Sequence, residues 1–243
     1  MPGVRRIQAR VTGWRTGNCL LIVVCLAAMT PTAHADGFSA TVTGTTEYIY
    51  RGLSFSDGNP ALQVGIDYGH ESGLFAGAWA STVDLENFGG RRDVELDYYL
   101  GYGFSPAATL DLSLAVMRYT YPGQTTYFNY DYTELSVLVT VLEQYSLEAG
   151  FSEDIYGYGA DGRYFELRGE WNMRNAWVVS AGLGYNVLKD QGTTNYLYGD
   201  IGASARLGRF VLDLRYYDNE TPAGTLAGLS AGSRLVFSVS VGF

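Results

Sequence analysis

Thiols and imidazoles are almost missing from this sequence: its 243 residues include two Cys and two His. Both cysteines, Cys19 and Cys25, lie in one apolar run near the N-terminus. So few soft ligands leave little for a zinc or iron site built from them, and neither a metal nor a cofactor is expected. Basic residues are also scarce, 16 Lys+Arg against 25 Asp+Glu, for a net charge of −9. A phosphate backbone demands the opposite balance, which removes nucleic acid as a partner. Charged residues make up only 17%, below the usual share of about 25%. The hydrophobic fraction of 47% is enough for a packed structure, which argues against disorder. What the chain has in quantity is glycine, 31 residues, and tyrosine, 20 residues.

Residues 1–35 read as a secretory signal peptide. Arg5, Arg6, Arg10 and Arg15 precede the apolar stretch from Cys19 to Met29, with no acidic residue before Asp36. That stretch is too short to cross a bilayer, which takes about 20 residues. Ala33-His34-Ala35 supplies a small-x-small cleavage pattern, so cleavage is expected after Ala35, leaving residues 36–243 as one domain. Losing four arginines leaves 12 basic against 25 acidic residues. The mature chain is then exported, acidic and free of cysteine.

Beyond the leader no run of apolar residues is long enough for a transmembrane helix. The chain instead alternates with period 2 over segments of about ten residues, the length of a membrane-crossing strand. Val94, Leu96, Tyr98, Leu100, Tyr102 and Phe104 share one parity, and Asp93, Glu95, Asp97, Tyr99, Gly101 and Gly103 the other. Comparable segments span 38–50, 62–68, 74–84, 93–104, 110–121, 130–142, 145–156, 164–171, 177–187, 196–207, 210–218 and 232–243. The expected fold is therefore all-β, an antiparallel up-and-down transmembrane β-barrel of 12 strands. The count falls to ten if 74–84 and 145–156, whose alternation is weaker, do not pair. Connections after even-numbered strands are short, such as Glu71-Ser72-Gly73 and Gly208-Arg209. Those after odd-numbered strands (51–60, 85–91, 122–129, 157–162, 188–195 and 219–231) are mostly longer and rich in Gly, Asn, Asp and Pro. Short periplasmic turns and longer external loops are the pattern of bacterial outer-membrane barrels. Most tyrosines, including Tyr48, Tyr50, Tyr119, Tyr121, Tyr130, Tyr156, Tyr185, Tyr198, Tyr216 and Tyr217, fall near the long-loop ends of strands. An aromatic girdle at the membrane–water boundary would place them there. In the last strand Phe237, Val239, Val241 and Phe243 alternate up to a terminal aromatic residue. That pattern is expected to be read by the outer-membrane barrel assembly machinery.

Charge on a lipid-facing strand position is expensive, so the apolar parity must face lipid and the polar parity the lumen. Expected pore-lining residues are Asp67, Asp93, Glu95, Asp97, Glu134, Glu166, Arg168, Glu170, Asp200, Asp213, Arg215 and Arg234, with Glu47 and Arg51 at the mouth. This excess of carboxylates would attract cations into a water-filled lumen. A 12-stranded barrel lies between the eight that enclose only side chains and the 16–18 that leave an aqueous channel. Inward tyrosines such as Tyr99, Tyr132, Tyr164, Tyr196 and Tyr198 would narrow it, and inward glycines such as Gly101, Gly103, Gly150, Gly182 and Gly184 would open it. Two readings stay open here: a narrow aqueous pore, and an interior plugged by Arg–carboxylate pairs.

The most distinctive stretch runs from Thr46 to Gln63 and includes Tyr48-Ile49-Tyr50-Arg51-Gly52-Leu53-Ser54-Phe55-Ser56. With Ser72-Gly73-Leu74-Phe75-Ala76-Gly77-Ala78-Trp79, Val94-Glu95-Leu96-Asp97-Tyr98-Tyr99 and Tyr121-Pro122-Gly123, it resembles the TorF-type porins of proteobacterial outer membranes. The resemblance spans essentially the whole mature chain; Phe55 departs from it, where a more polar residue is expected. It implies a porin-like function and brings no catalytic residues. Arg51 would then be a charge at the pore mouth or a clamp for a folded-in loop; pairing with a carboxylate such as Asp67 or Asp93 is the plainer alternative. Asp57-Gly58-Asn59-Pro60 reads as a turn at a loop tip.

An enzyme is not expected. The only histidine after the leader, His70, sits beside a short turn at the periplasmic end, where no outer-leaflet lipid could reach it as a base. Glu166 and Glu170 resemble a glycosidase pair, but alternate inward positions in a barrel produce such pairs automatically. The expected function is passive, cation-preferring passage of small solutes across a Gram-negative outer membrane. The alternative is a non-conducting, plugged barrel acting as an adhesin or envelope scaffold through its external loops. Expected partners are outer-membrane lipid, the assembly machinery, and small solutes or cations.

Overall fold

The computed structural model describes residues 37–87, 90–123, 129–157, 159–188, 195–220 and 229–243. The expected leader, 1–35 with cleavage after Ala35, lies outside them. Among the described residues there are fourteen strands. In chain order they are β1 (Gly37–Thr45), β2 (Ile49–Tyr50), β3 (Leu53–Ser54), β4 (Ala61–Gly69), β5 (Leu74–Asn87), β6 (Gly90–Ala107) and β7 (Leu110–Thr120). They continue as β8 (Tyr132–Val141), β9 (Tyr145–Ser152), β10 (Gly162–Asn172), β11 (Trp177–Leu188), β12 (Tyr196–Leu207), β13 (Phe210–Asn219) and β14 (Arg234–Gly242).

Twelve of these close a single barrel in which each strand from β4 to β14 lies beside its neighbours in sequence. β1 completes the ring, pairing with β14 from Thr41↔Gly242 to Thr45↔Ser238 and with β4 from Gly37↔Gly69 to Thr45↔Ala61. All pairings are antiparallel, and closure leaves the ring no open edge, as a membrane requires. The weakly alternating segments both pair, β5 with β4 and β6 and β9 with β8 and β10. The count is therefore 12, not ten.

The exposure pattern is inverted relative to a water-soluble protein. Leu100, Leu167, Ile201 and Leu235 point outward and are 57–66% exposed, whereas Glu95, Glu134 and Arg215 point inward and are at most 2% exposed. An apolar band of this kind is stable only in lipid. Leu167 lies at the middle of β10. Leu167→Arg is expected to destabilise the barrel by about 2–4 kcal/mol in urea titrations in lipid vesicles, the midplane cost of arginine. A loss below about 1 kcal/mol would take this face out of the hydrocarbon.

Three connections differ from the sequence reading. The first strand stops at Thr45 instead of running to Tyr50, and Ile49–Tyr50 pairs with Leu53–Ser54 in a separate two-stranded sheet. The reason is visible in the residues: Tyr48, Ile49 and Tyr50 are consecutive, apolar and all buried. A barrel strand can offer only every second residue to lipid, so this segment must be surrounded by protein on both faces. The supposed loop at 85–91 is largely strand, since β5 runs to Asn87 and β6 starts at Gly90, with a bulge between Thr82 and Leu85. The segment 145–156 leaves the wall after Ser152, and Ile155–Gly157 forms a 3-10 turn that buries Ile155 and Tyr156.

Candidate functional site

Residues 47–56 turn into the barrel and fill the outer half of its lumen, where every one of them is buried. The expectation that 51–60 is an external loop holds only for its tip, as Asp57, Gly58, Asn59 and Pro60 are exposed. The hairpin between β2 and β3 turns on Arg51 and Gly52, both with positive φ (48° and 76°). A two-residue turn of that handedness matches the right-handed twist of the strands and favours glycine at its second position. Glycine is needed here for space as well. A Cβ on Gly52 would lie 2.6 Å from Tyr198 Cβ and 3.0 Å from Asn219 Cβ, both on the barrel wall.

Hydrogen bonds tie the segment and its approach to their surroundings. Thr46 N–H donates to the Phe237 carbonyl (2.9 Å), Ser54 N–H to the Ser230 carbonyl (2.8 Å), and the Phe55 carbonyl accepts from Asp84 N–H (2.8 Å). Asn219 Nδ2 donates to the Gly52 carbonyl at 2.9 Å. The Tyr50 and Tyr119 hydroxyls lie 2.9 Å apart. Arg51 makes a two-point bond to Glu134, 2.8 Å from Nη1 to Oε2 and 2.7 Å from Nη2 to Oε1. Its guanidinium also sits 3.3 Å from the centre of the Tyr164 ring and 4.6 Å from that of Tyr50. Of the roles expected for Arg51, the geometry is that of a clamp on a folded-in loop. Its carboxylate is Glu134, not Asp67 or Asp93. Burial alone would lower the Arg51 pKa, but Glu134, Tyr50 and Tyr164 outweigh it and hold the group above its ordinary value. Burial raises the Tyr50 hydroxyl well above its usual range, so this end of the segment carries one fixed positive charge.

Around the segment the wall contributes an aromatic core. Tyr119 stacks on Tyr132 at 4.2 Å and 11°, and Phe55 packs against Tyr48, Tyr50 and Tyr156. Phe55, the departure from the TorF pattern, is thus a core residue. Tyr48, Tyr50, Tyr119, Tyr121, Tyr130, Tyr156 and Tyr198 are buried rather than set in a lipid-facing girdle. Their parity or their place on the inward segment decides this, and only tyrosines of outward parity such as Tyr185 and Tyr216 face out. Gly150 and Gly184 do not leave aqueous space either, because Tyr164 occupies the room beside the first and Tyr198 that beside the second. With Leu53, Phe55, Tyr119 and Tyr132 at 0–1% exposure, these side chains pack the outer half of the lumen.

Nearer the short turns, charges take over. Arg168 donates to Asp200 (2.7 Å) and Glu166 (3.0 Å), while Arg215 pairs with Asp200, with Asp213 (3.1 Å) and with Ser180 Oγ (2.8 Å). Tyr198 donates to Glu166 at 3.0 Å. This row across β10–β13 is the Arg–carboxylate network that the plugged alternative anticipates. Glu95 and Asp97, on β6, are buried on the wall facing it, and Glu95 accepts from Tyr121 at 2.8 Å. Among the described residues no ion pair involves either of them. Asp67 and Glu170 are half-buried towards the short-turn end. Glu47 pairs with Arg234 at 3.1 Å near the long-loop end. Asp93, of the same parity as Glu95 and Asp97, is exposed. Phe237 on β14 and Phe243 just beyond its end are exposed, with Val239 and Val241 between them half-buried. Among the described residues no group of three or more His, Cys, Asp or Glu is arranged to hold a metal.

The closed antiparallel ring, lipid-type exterior and polar, aromatic interior define a transmembrane β-barrel of the outer-membrane, porin-like kind. The chain belongs to a family described as "Bacterial protein of unknown function (Gcw_chp)", whose model matches residues 29–241. No match is found among curated proteins. Similar solved structures include the NanC porin (TM-score 0.57, 6% identity, 84% of this chain and 98% of that one) and the KdgM porin (0.53, 9%, 84% and 99%). The COG4313 outer membrane channel from Pseudomonas putida F1 is similar as well (0.52, 10%, 89% and 98%). At these identities the likeness is one of fold.

Proposed function

We propose that the protein is an outer-membrane channel for small solutes, exported by a leader cleaved after Ala35, that prefers cations and is held shut by residues 48–56 in the state described. One observation carries the cation preference. Among the described residues Glu47, Asp67, Glu95, Asp97, Asp111, Glu134, Glu148, Glu166, Glu170, Asp200 and Asp213 are on the inward side, against Arg51, Arg168, Arg206, Arg215 and Arg234. A lumen with that imbalance draws in positive solutes once water enters it. Resemblance to the TorF-type porins and the porin-like ring support the channel reading. The alternating C-terminal strand supports insertion by the barrel assembly machinery. A KdgM porin has been determined in complex with oligogalacturonate, a polyanion; the acidic interior here suits a different class of solute. A second reading, a non-conducting scaffold or adhesin, draws on the packing of residues 48–56 inside the outer half.

Planar-bilayer recordings in a KCl gradient separate the two. Wild-type protein is expected to stay closed with rare openings. A variant whose residues 48–56 are replaced by a Gly/Ser linker is expected to give steady steps with a cation-selective reversal potential. A folded variant that never conducts would favour the scaffold, and anion selectivity would overturn the charge argument.

A further inference from the structure

The groups that hold Arg51 come mainly from the wall, not from the segment that carries it. Glu134 is on β8, Tyr164 on β10, Glu148 on β9 and Tyr119 on β7, four consecutive strands of a continuous ladder. Tyr164 donates to Glu148 at 2.6 Å, which fixes its ring, and Tyr119 donates to Glu134 at 3.4 Å. Gly150 leaves the space across which that ring lies. The segment supplies none of these features, and β1 already closes the barrel with β14 and β4 by Thr45, before the segment begins. To the strand pairings residues 48–56 add a two-residue sheet of their own and one isolated bridge, Ser54↔Ser230, besides single hydrogen bonds to Asp84 and Asn219.

We propose that this part of the wall is a binding site for a planar organic cation, a guanidinium group, and that Arg51 occupies it as a tethered stand-in for a free ligand. A carboxylate fork with an aromatic face 3.3 Å from the guanidinium carbon is more than one ion pair requires. It matches the two properties that separate guanidinium from ammonium, a planar pair of donors and a stacking face. A solute carrying that group competes with Arg51 for Glu134 and Tyr164, and its binding favours the unseated segment. Ligand binding and opening are thus coupled. That coupling rests on the channel reading above; the binding site itself does not.

The test uses full-length protein refolded in detergent, its barrel verified by the mobility change on heating. Arg51→Ala empties the site. Guanidinium chloride, far below denaturing concentrations, is expected to raise the melting midpoint of Arg51→Ala saturably and to recover at least half of the shift lost. Equal ammonium or sodium chloride is expected to recover none, and guanidinium to do nothing for wild type or for Arg51→Ala/Glu134→Gln. If Arg51→Ala refolds poorly, its refolding yield with and without guanidinium serves as the readout. Equal responses in all three proteins, or ammonium acting as well as guanidinium, would overturn the site. Guanidinium that binds Arg51→Ala while the linker variant stays silent in bilayers would keep the site and remove the channel.

Discussion

Glu134→Ala is expected to cost the folded barrel about 3–5 kcal/mol, the penalty for leaving one member of a buried ion pair without its partner. Arg51 and Glu134 have side-chain exposures of only 4% and 2%, so water cannot replace the lost carboxylate unless the segment leaves the lumen. The loss belongs to the stranded charge rather than to a net attraction, so removing both charges is expected to restore most of it. Arg51→Met with Glu134→Leu fills the same space without a charge and is expected to come within about 1–2 kcal/mol of wild type, since apolar replacement of buried pairs is often near neutral. Urea titrations of the single and double variants in lipid vesicles measure both quantities. If Glu134→Ala and the double variant lose equal stability, the pair is not what holds Arg51 inside.

Gly52→Ala is expected to unseat the segment, and the comparable change at Gly58 is not. Both glycines have φ near +80° (76° and 79°), so both substitutions carry the same backbone strain, of order 1–2 kcal/mol. They differ in space. A Cβ at Gly58 meets nothing within 4 Å, whereas one at Gly52 falls 2.6 Å from Tyr198 Cβ, an atom the barrel ladder holds in place. The overlap is relieved by lifting the hairpin away from the wall, which separates Tyr48 from Trp79, now in edge contact at 5.4 Å. A red shift of tryptophan emission and faster external proteolysis within residues 48–56 are the expected signs in Gly52→Ala. Gly58→Ala is expected to show neither, and similar behaviour of the two variants would remove the packing argument.

Alternation over long segments made the ring legible in the sequence. Val94 to Phe104 shows why: six outward apolar residues against Glu95 and Asp97 leave one orientation for the strand, and one strand's parity propagates through an antiparallel ladder. Placement of Glu134, Arg168, Asp200 and Arg215 inside the lumen follows from that parity alone. What alternation cannot report is a segment buried on both faces. Tyr48-Ile49-Tyr50 continues an apolar run that looks like more strand, and only the Arg51-Gly52 turn signals that the chain reverses there. The partner of Arg51 was illegible for another reason, since Glu134 is 83 residues away and the choice among carboxylates depends on which wall the hairpin leans against. Tyrosines near strand ends were equally ambiguous, because girdle and lumen plug call for the same residue at the same height and differ only in direction.

The account turns on residues 48–56 sealing the outer half of the barrel from within, and cysteine accessibility tests that most directly. With Cys19 and Cys25 changed to Ser, single cysteines are placed at Leu53, at 0% exposure, and at Asn59 on the exposed tip. Protein folded into vesicles is then treated with a membrane-impermeant thiol reagent. The account predicts that Asn59→Cys is labelled promptly and Leu53→Cys only after denaturation. Labelling of Leu53→Cys at the rate of Asn59→Cys would contradict it, placing the segment outside the lumen.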